Sequence, residues 1–233
     1  MLFRSDFSDN PVVLDGENVR SEIDRVMGEL KSFSSKVRDD GLTGSTGKPF
    51  RHFVVVGIGG SYLGTECVAN ALGGESQQVG KIHFLSNADP ADFLRVRSEI
   101  DPESTLWIII SKSYTTTETL ANERRVRQFL ESERLSPTEH LVAVTSKGSP
   151  GDDPKNPVLA SFHMFDFIGG RYSVTSAVGG VPLSLVFGYE AFARFLKGAN
   201  EMDRNAADRD LLKNIPLTAA LMTIWNRDYL GYP

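Results

Sequence analysis

Short, uninterrupted, β-branched apolar runs alternate along this chain with stretches of helical spacing, and that alternation limits the fold more than any other feature. FVVVGI (53–58), TLWIII (105–110) and HLVAVT (140–145) are too short for core helices and rich in valine and isoleucine. They read as strands buried on both faces. KIHFLS (81–86) reads as a further strand. Between the runs lie GGSYLGTECVANAL, ADFLRVRSEI behind Pro90, and the charged segment Thr117 to Glu131, each with helical spacing. Strands that alternate with helices require βαβ crossovers, so the expected class is α/β with a mostly parallel sheet.

Apolar residues at three- and four-residue steps predict an amphipathic helix from Glu17 to Asp39, ended by the glycine-rich linker DDGLTGSTGKP. GSPGDDPKNP (148–157) reads as an irregular loop. Tyr189 to Asp203 reads as a helix, and so does the strongly apolar stretch Pro216 to Trp225. A helix that apolar wants a partner surface.

The 233 residues suffice for one sizeable domain or two small ones. A net charge of −5 argues against a non-specific nucleic-acid binder, which needs a basic face. The single cysteine, Cys67, leaves no internal disulfide framework and fits a reducing compartment. Residues 1–10 lack the features of a signal peptide, and no apolar run approaches the roughly 20 residues of a membrane helix. Four scattered histidines show no metal-ligand spacing. These features predict a cytoplasmic protein with no structural metal and no membrane or nucleic-acid partner.

Three stretches carry candidate chemistry. In IIISKSYTTTETLAN (108–122), Ser111, Ser113, Thr115, Thr116, Thr117 and Thr119 crowd the carboxyl end of a strand at the start of a helix. Ligands of parallel sheets bind at that end, and free helix N–H groups favour an anion. A phosphate, with more oxygens to satisfy than a carboxylate, fits the crowd of hydroxyls. The backbone N–H of Lys112 can serve while its side chain is solvated. The alternative is plain helix capping reinforced by Glu118. GIGGS (57–61) ends another strand; it matches neither a clean dinucleotide fingerprint, since position 62 is Tyr62, nor a Walker loop. Arg171, within GGRYS (169–173), is either a structural ion pair or an anion ligand.

Taken together, GIGGSYLG, SKSYTTTET and GGRYSVTSAVGGVPLSLVFGYEAFARFLKGANEMD resemble the glucose-6-phosphate isomerases. The segments around VVLDGENVRSEIDRVMGELKSF and KNIPLTAALMTIWNRDYLG extend the resemblance over most of residues 12–231. The resemblance implies sugar-isomerase (SIS) domains, each an α/β/α sandwich on a five-stranded parallel sheet. It also implies a cytoplasmic homodimer that interconverts glucose 6-phosphate and fructose 6-phosphate through an enediolate without metal or organic cofactor, a step of glycolysis and gluconeogenesis. By the match, residues 1–47 form an N-terminal segment, 48–210 the first SIS domain and 211–233 the start of a second. Ser111, Ser113 and Thr116, with the backbone of Lys112, would bind the phosphate. Gly60 and Ser61 would lie beside the sugar. Arg171 would stabilise the charge of the enediolate.

Ser113 stands where the family commonly has threonine, Tyr62 where many members have aspartate, and Gly180 where a larger apolar residue is common. No counterpart is found of the later motifs that carry the family's general-base glutamate, ring-opening histidine and catalytic lysine. His140 and His163 precede the arginine stretch, which excludes them by chain order. The expectation is a chain that holds the phosphate cradle and lacks the base. A non-catalytic SIS module that binds sugar phosphate is the alternative.

Overall fold

The computed structural model describes residues 11–14, 16–74 and 78–232. The expectation about residues 1–10 lies outside them. The chain divides into two compact units, and the larger, Pro11–Phe192, holds the sheet.

A small hairpin, β1 (Val13–Leu14) and β2 (Glu17–Asn18), leads into helix α1 (Arg20–Arg38). The chain then runs through β3 (His52–Val56), α2 (Leu63–Ala71), β4 (Lys81–Leu85), α3 (Pro90–Ser98) and β5 (Thr105–Ile110). It continues with α4 (Thr117–Ser132), the single turn α5 (Pro137–His140), β6 (Leu141–Thr145), β7 (Ala160–His163) and α6 (Ala177–Phe187). Strands β3 to β7 form one all-parallel sheet in the order β4-β3-β5-β6-β7. Helices α3, α4 and α5 cover one face; α1 and α6 cover the other. This is the α/β/α sandwich of five parallel strands that the resemblance implies.

The buried runs behave as their composition requires. Every side chain of β5 and β6 is buried. Alternate residues of the central strands face opposite layers, and Val54, Val56, Trp107 and Ile109 join Val126 and Leu130 in one core. His140, read as a strand residue, instead ends α5. It is fully buried, its Nδ1 lies 2.8 Å from the Thr105 carbonyl, and its Nε2 accepts the Ser45 N–H at 3.1 Å. The imidazole thereby fastens the linker to the sheet.

Two elements depart from the periodicity reading. β7, ASFH, has no β-branched run and follows a proline-rich loop. Its pairing with β6 defines it, rather than propensity. α6 is buried at all eleven positions, so it shows no polar face and no helical period. Gly180 explains its close approach to α1: a Cβ there would stand 2.6 Å from Leu30 Cδ1 and 2.9 Å from Phe192 Cε1. Those two side chains fill the space that a larger residue would take.

At the opposite end of β3 and β4 from the candidate loops, His52 Nδ1 lies 3.2 Å from His83 Nε2, and His83 Nδ1 lies 3.3 Å from Glu99. Burial lowers both imidazole pKa values from the ordinary value, and for His52 the neighbouring His83 adds to the effect. Below about pH 6.5 the unfolded chain therefore binds more protons than the folded one. The contribution to stability is complete above that pH and is lost as pH falls. Urea midpoints should drop between about pH 7.5 and 5.5, and H83Q should flatten the slope. An unchanged slope in H83Q would assign the pH dependence elsewhere.

The second unit, Ala193–Pro233, contains most of helix α7 (Tyr189–Asn205) and helix α8 (Ile215–Asp228). Asn214 caps α8 by accepting the Leu217 N–H at 2.8 Å. No residue of α8 is buried, and Ile215, Met222 and Trp225 are among its exposed apolar side chains. Among the described residues no helix is long and apolar enough to cross a membrane.

Candidate active site

The strand order fixes where a ligand fits. From β3 the chain crosses to β4 on one side, and from β5 it proceeds to β6 on the other. The carboxyl ends of β3 and β5 are therefore a topological switch point, where connections diverge and leave a crevice. Val56 of β3 pairs with Ile109 of β5, so the glycine loop and the hydroxyl loop leave the sheet side by side. A Cβ on Gly57 would stand 3.3 Å from the Ile110 carbonyl.

In the hydroxyl loop, Ser111 is buried, and its Oγ has no hydrogen-bond partner among the described residues. A buried hydroxyl left unpaired is costly unless something completes it. The hydroxyls of Ser113 and Thr115 hydrogen-bond each other at 2.6 Å, and both residues are exposed. Thr116 is the N-cap of α4, yet its side chain makes no cap hydrogen bond. Glu118 is exposed in the first turn and makes no hydrogen bond to the helix end among the described residues. The capping reading of these hydroxyls is thus not what the loop displays: the N-terminus of a sixteen-residue helix is left open among hydroxyl groups.

Lys112 is exposed, as expected, and its side chain is also engaged. Its Nζ donates to the carbonyl of Asp166 at 2.6 Å and lies 3.4 Å from that of Ile168. Its own carbonyl accepts the Ser146 N–H at 3.0 Å and the Thr145 hydroxyl at 3.1 Å. These two carbonyls precede Gly169, so the lysine ties the loop to the chain that enters the arginine segment.

Arg171 is exposed and has no carboxylate partner among the described residues. It lines a cavity of about 480 Å³ with Gly60, Leu63, Gly64, Gly170 and Val174. Ser61 and the hydroxyl loop do not line that cavity. The structure therefore brings Gly60 to Arg171 in one cavity and places Ser111, Lys112, Ser113 and Thr116 at the end of the neighbouring strand. No carboxylate or imidazole lines the arginine cavity. His163 is held by Asp152 at 2.9 Å, and His140 is spent on the linker.

Ser173 was not singled out by sequence. Its hydroxyl lies 2.7 Å from the Gly170 carbonyl and 3.0 Å from the Gly60 carbonyl, stitching the two loops. The signal was present: a serine two residues after the arginine in a glycine-rich turn.

Comparison with known proteins identifies the family and the fold. The phosphoglucose isomerase family model matches residues 3–233. Glucose-6-phosphate isomerase of Desulfosudis oleivorans is 55% identical over 232 residues, covering 98% of this chain and 42% of the relative. The cytosolic glucose-6-phosphate isomerase of Spinacia oleracea is 40% identical over 231 residues, covering 94% of this chain and 40% of the relative. A crystal structure of glucose-6-phosphate isomerase from Chlamydia trachomatis superposes with a TM-score of 0.88 at 40% identity, covering 100% of this chain and 43% of that one. The chain thus spans about two fifths of the length of the curated relatives. The match over nearly its whole length, with the same sheet beneath it, shows that the chain belongs to the phosphoglucose isomerase family, a family of aldose–ketose isomerases.

Proposed function

We propose that the whole protein interconverts glucose 6-phosphate and fructose 6-phosphate in the cytosol as a homodimer, and that this chain contributes the substrate cradle. The observation that carries the reading is the open N-terminus of α4, set among hydroxyls at the switch point of the sheet. The phosphate sits on Ser111, Ser113 and Thr116 and the Lys112 N–H. Its charge is met by the helix end. Gly60 and Ser61 let the backbone lie close to the sugar.

Isomerisation moves a proton between C2 and C1. When a base removes the C2 proton of the open-chain aldose, negative charge spreads over O1 and O2 of the enediolate. A fixed guanidinium at Arg171 stabilises that charge without reorganising. Transfer of a hydroxyl proton from O2 to O1, with return of the carbon-bound proton to C1, completes the ketose. The cavity around Arg171 holds no group able to act as the base. In this reading the base comes from family motifs beyond this chain, and residues 211–233 begin the second SIS domain.

The test is calorimetric titration of the 233-residue chain with fructose 6-phosphate, fructose and a dinucleotide, alongside an isomerase assay. Binding of the phosphorylated sugar alone, with turnover at least about 10²–10⁴-fold below a complete isomerase, is expected. Binding of the dinucleotide in preference would replace this reading with a nucleotide site.

A further inference from the structure

The hydroxyl loop contains one residue that points away from every candidate ligand group. Tyr114 lies between Ser113 and Thr115, yet it is only 3% exposed and belongs to the core cluster beneath α4. Its φ is +52°, in the left-handed region that tyrosine rarely adopts. Strain of this kind persists only where surrounding structure enforces it. The enforcing structure is a slot. A Cβ on Gly151 would fall 2.2 Å from Tyr114 Cδ2, so glycine at 151 is what makes room for the ring. The Tyr114 hydroxyl is buried on the side of Glu123 and Asn156, and no hydrogen bond of good geometry holds it among the described residues. The Gly151 slot receives the ring edge, at Cδ2 and Cε2.

We propose that Tyr114 is a positioning residue: its ring, locked in the Gly151 slot, forces the backbone reversal that turns the Ser113, Thr115 and Thr116 groups outward to the ligand. Without the plug, the loop has no reason to hold a left-handed residue at this point. The hydroxyls flanking Tyr114 would then sample several arrangements. The site would be formed only part of the time, and apparent affinity would fall by that fraction. The inference rests on the phosphate-binding reading for its effect on affinity, but the anchoring of the loop stands apart from it.

The test compares Y114A, Y114F and G151A in the 233-residue chain by two measurements. The first is amide hydrogen exchange of residues 112–116 with no ligand; the second is affinity for fructose 6-phosphate. Y114F should match the parent in both. Y114A should speed exchange in the loop and weaken binding by about tenfold or more, the loss expected if the formed loop falls to a tenth of the population. G151A keeps the tyrosine and closes its slot, so it should act like Y114A while exchange in β3, β5 and β6 stays unchanged. If Y114A and G151A leave loop exchange unaltered, the proposal is overturned. If Y114F loses as much as Y114A, the hydroxyl rather than the ring is responsible and the proposal is again overturned. If the exchange pattern holds while the parent fails to bind fructose 6-phosphate, the anchoring stands and the assignment of the ligand falls.

Discussion

Replacing Gly60 with alanine should abolish tight binding of fructose 6-phosphate while leaving the sheet folded. A Cβ there would stand 2.4 Å from the carbonyl carbon of Gly170 and 2.6 Å from its oxygen. Both are backbone atoms, with no flexible side chain to move aside. The two loops must separate, breaking the 3.0 Å hydrogen bond from Ser173 to the Gly60 carbonyl and pulling Arg171 out of register. Overpacking of this kind costs about 1–3 kcal/mol. If that cost falls on the closed arrangement of the loops, affinity drops by about tenfold to a hundredfold. Calorimetry reads the affinity, and far-ultraviolet circular dichroism checks that the sheet is intact. Unchanged affinity in G60A would mean that the Gly60–Gly170 contact plays no part in binding.

R171M should discriminate between ligands. Methionine keeps much of the length and removes the charge. Hydrogen bonds to charged groups contribute about 1.5–3 kcal/mol, and exposure of the guanidinium moves the figure toward the lower end. A phosphorylated aldonate, whose carboxylate carries negative charge where the enediolate does, should therefore bind R171M about tenfold or more weakly. Fructose 6-phosphate, neutral at the same carbons, should lose much less. Equal losses for the two ligands would place Arg171 on the phosphate instead of the reacting end.

What the sequence revealed of this molecule follows its physics. β3, β5 and β6 are apolar runs rich in valine and isoleucine because neighbours cover both faces, and burial of that kind leaves a direct trace in composition. The exchange of connections between β3 and β5 is not a local property, so the switch point became visible only with the strand order. β7 depends on its partner β6, and α6 hides its helical period because it is buried all round.

The same division runs through the site. A row of hydroxyls ahead of a helix can be read from residue types, but whether one of them caps the helix is a matter of geometry, and Thr116 does not. Arg171 among small residues left an ion pair and an anion ligand equally open, and its lack of a carboxylate partner among the described residues is a tertiary fact. The engagement of Lys112 with the carbonyls of Asp166 and Ile168 joins residues more than fifty positions apart, and no local pattern encodes it.

The central claim is that the loop after β5 holds a phosphate. The most direct measurement is a crystal structure of this chain soaked with fructose 6-phosphate. The account predicts the phosphate within hydrogen-bond distance of Ser111 Oγ, Ser113 Oγ and Thr116 Oγ1 at the N-terminus of α4, with the sugar directed toward Gly60 and Arg171. A phosphate bound elsewhere, with those hydroxyls still unengaged, would contradict it.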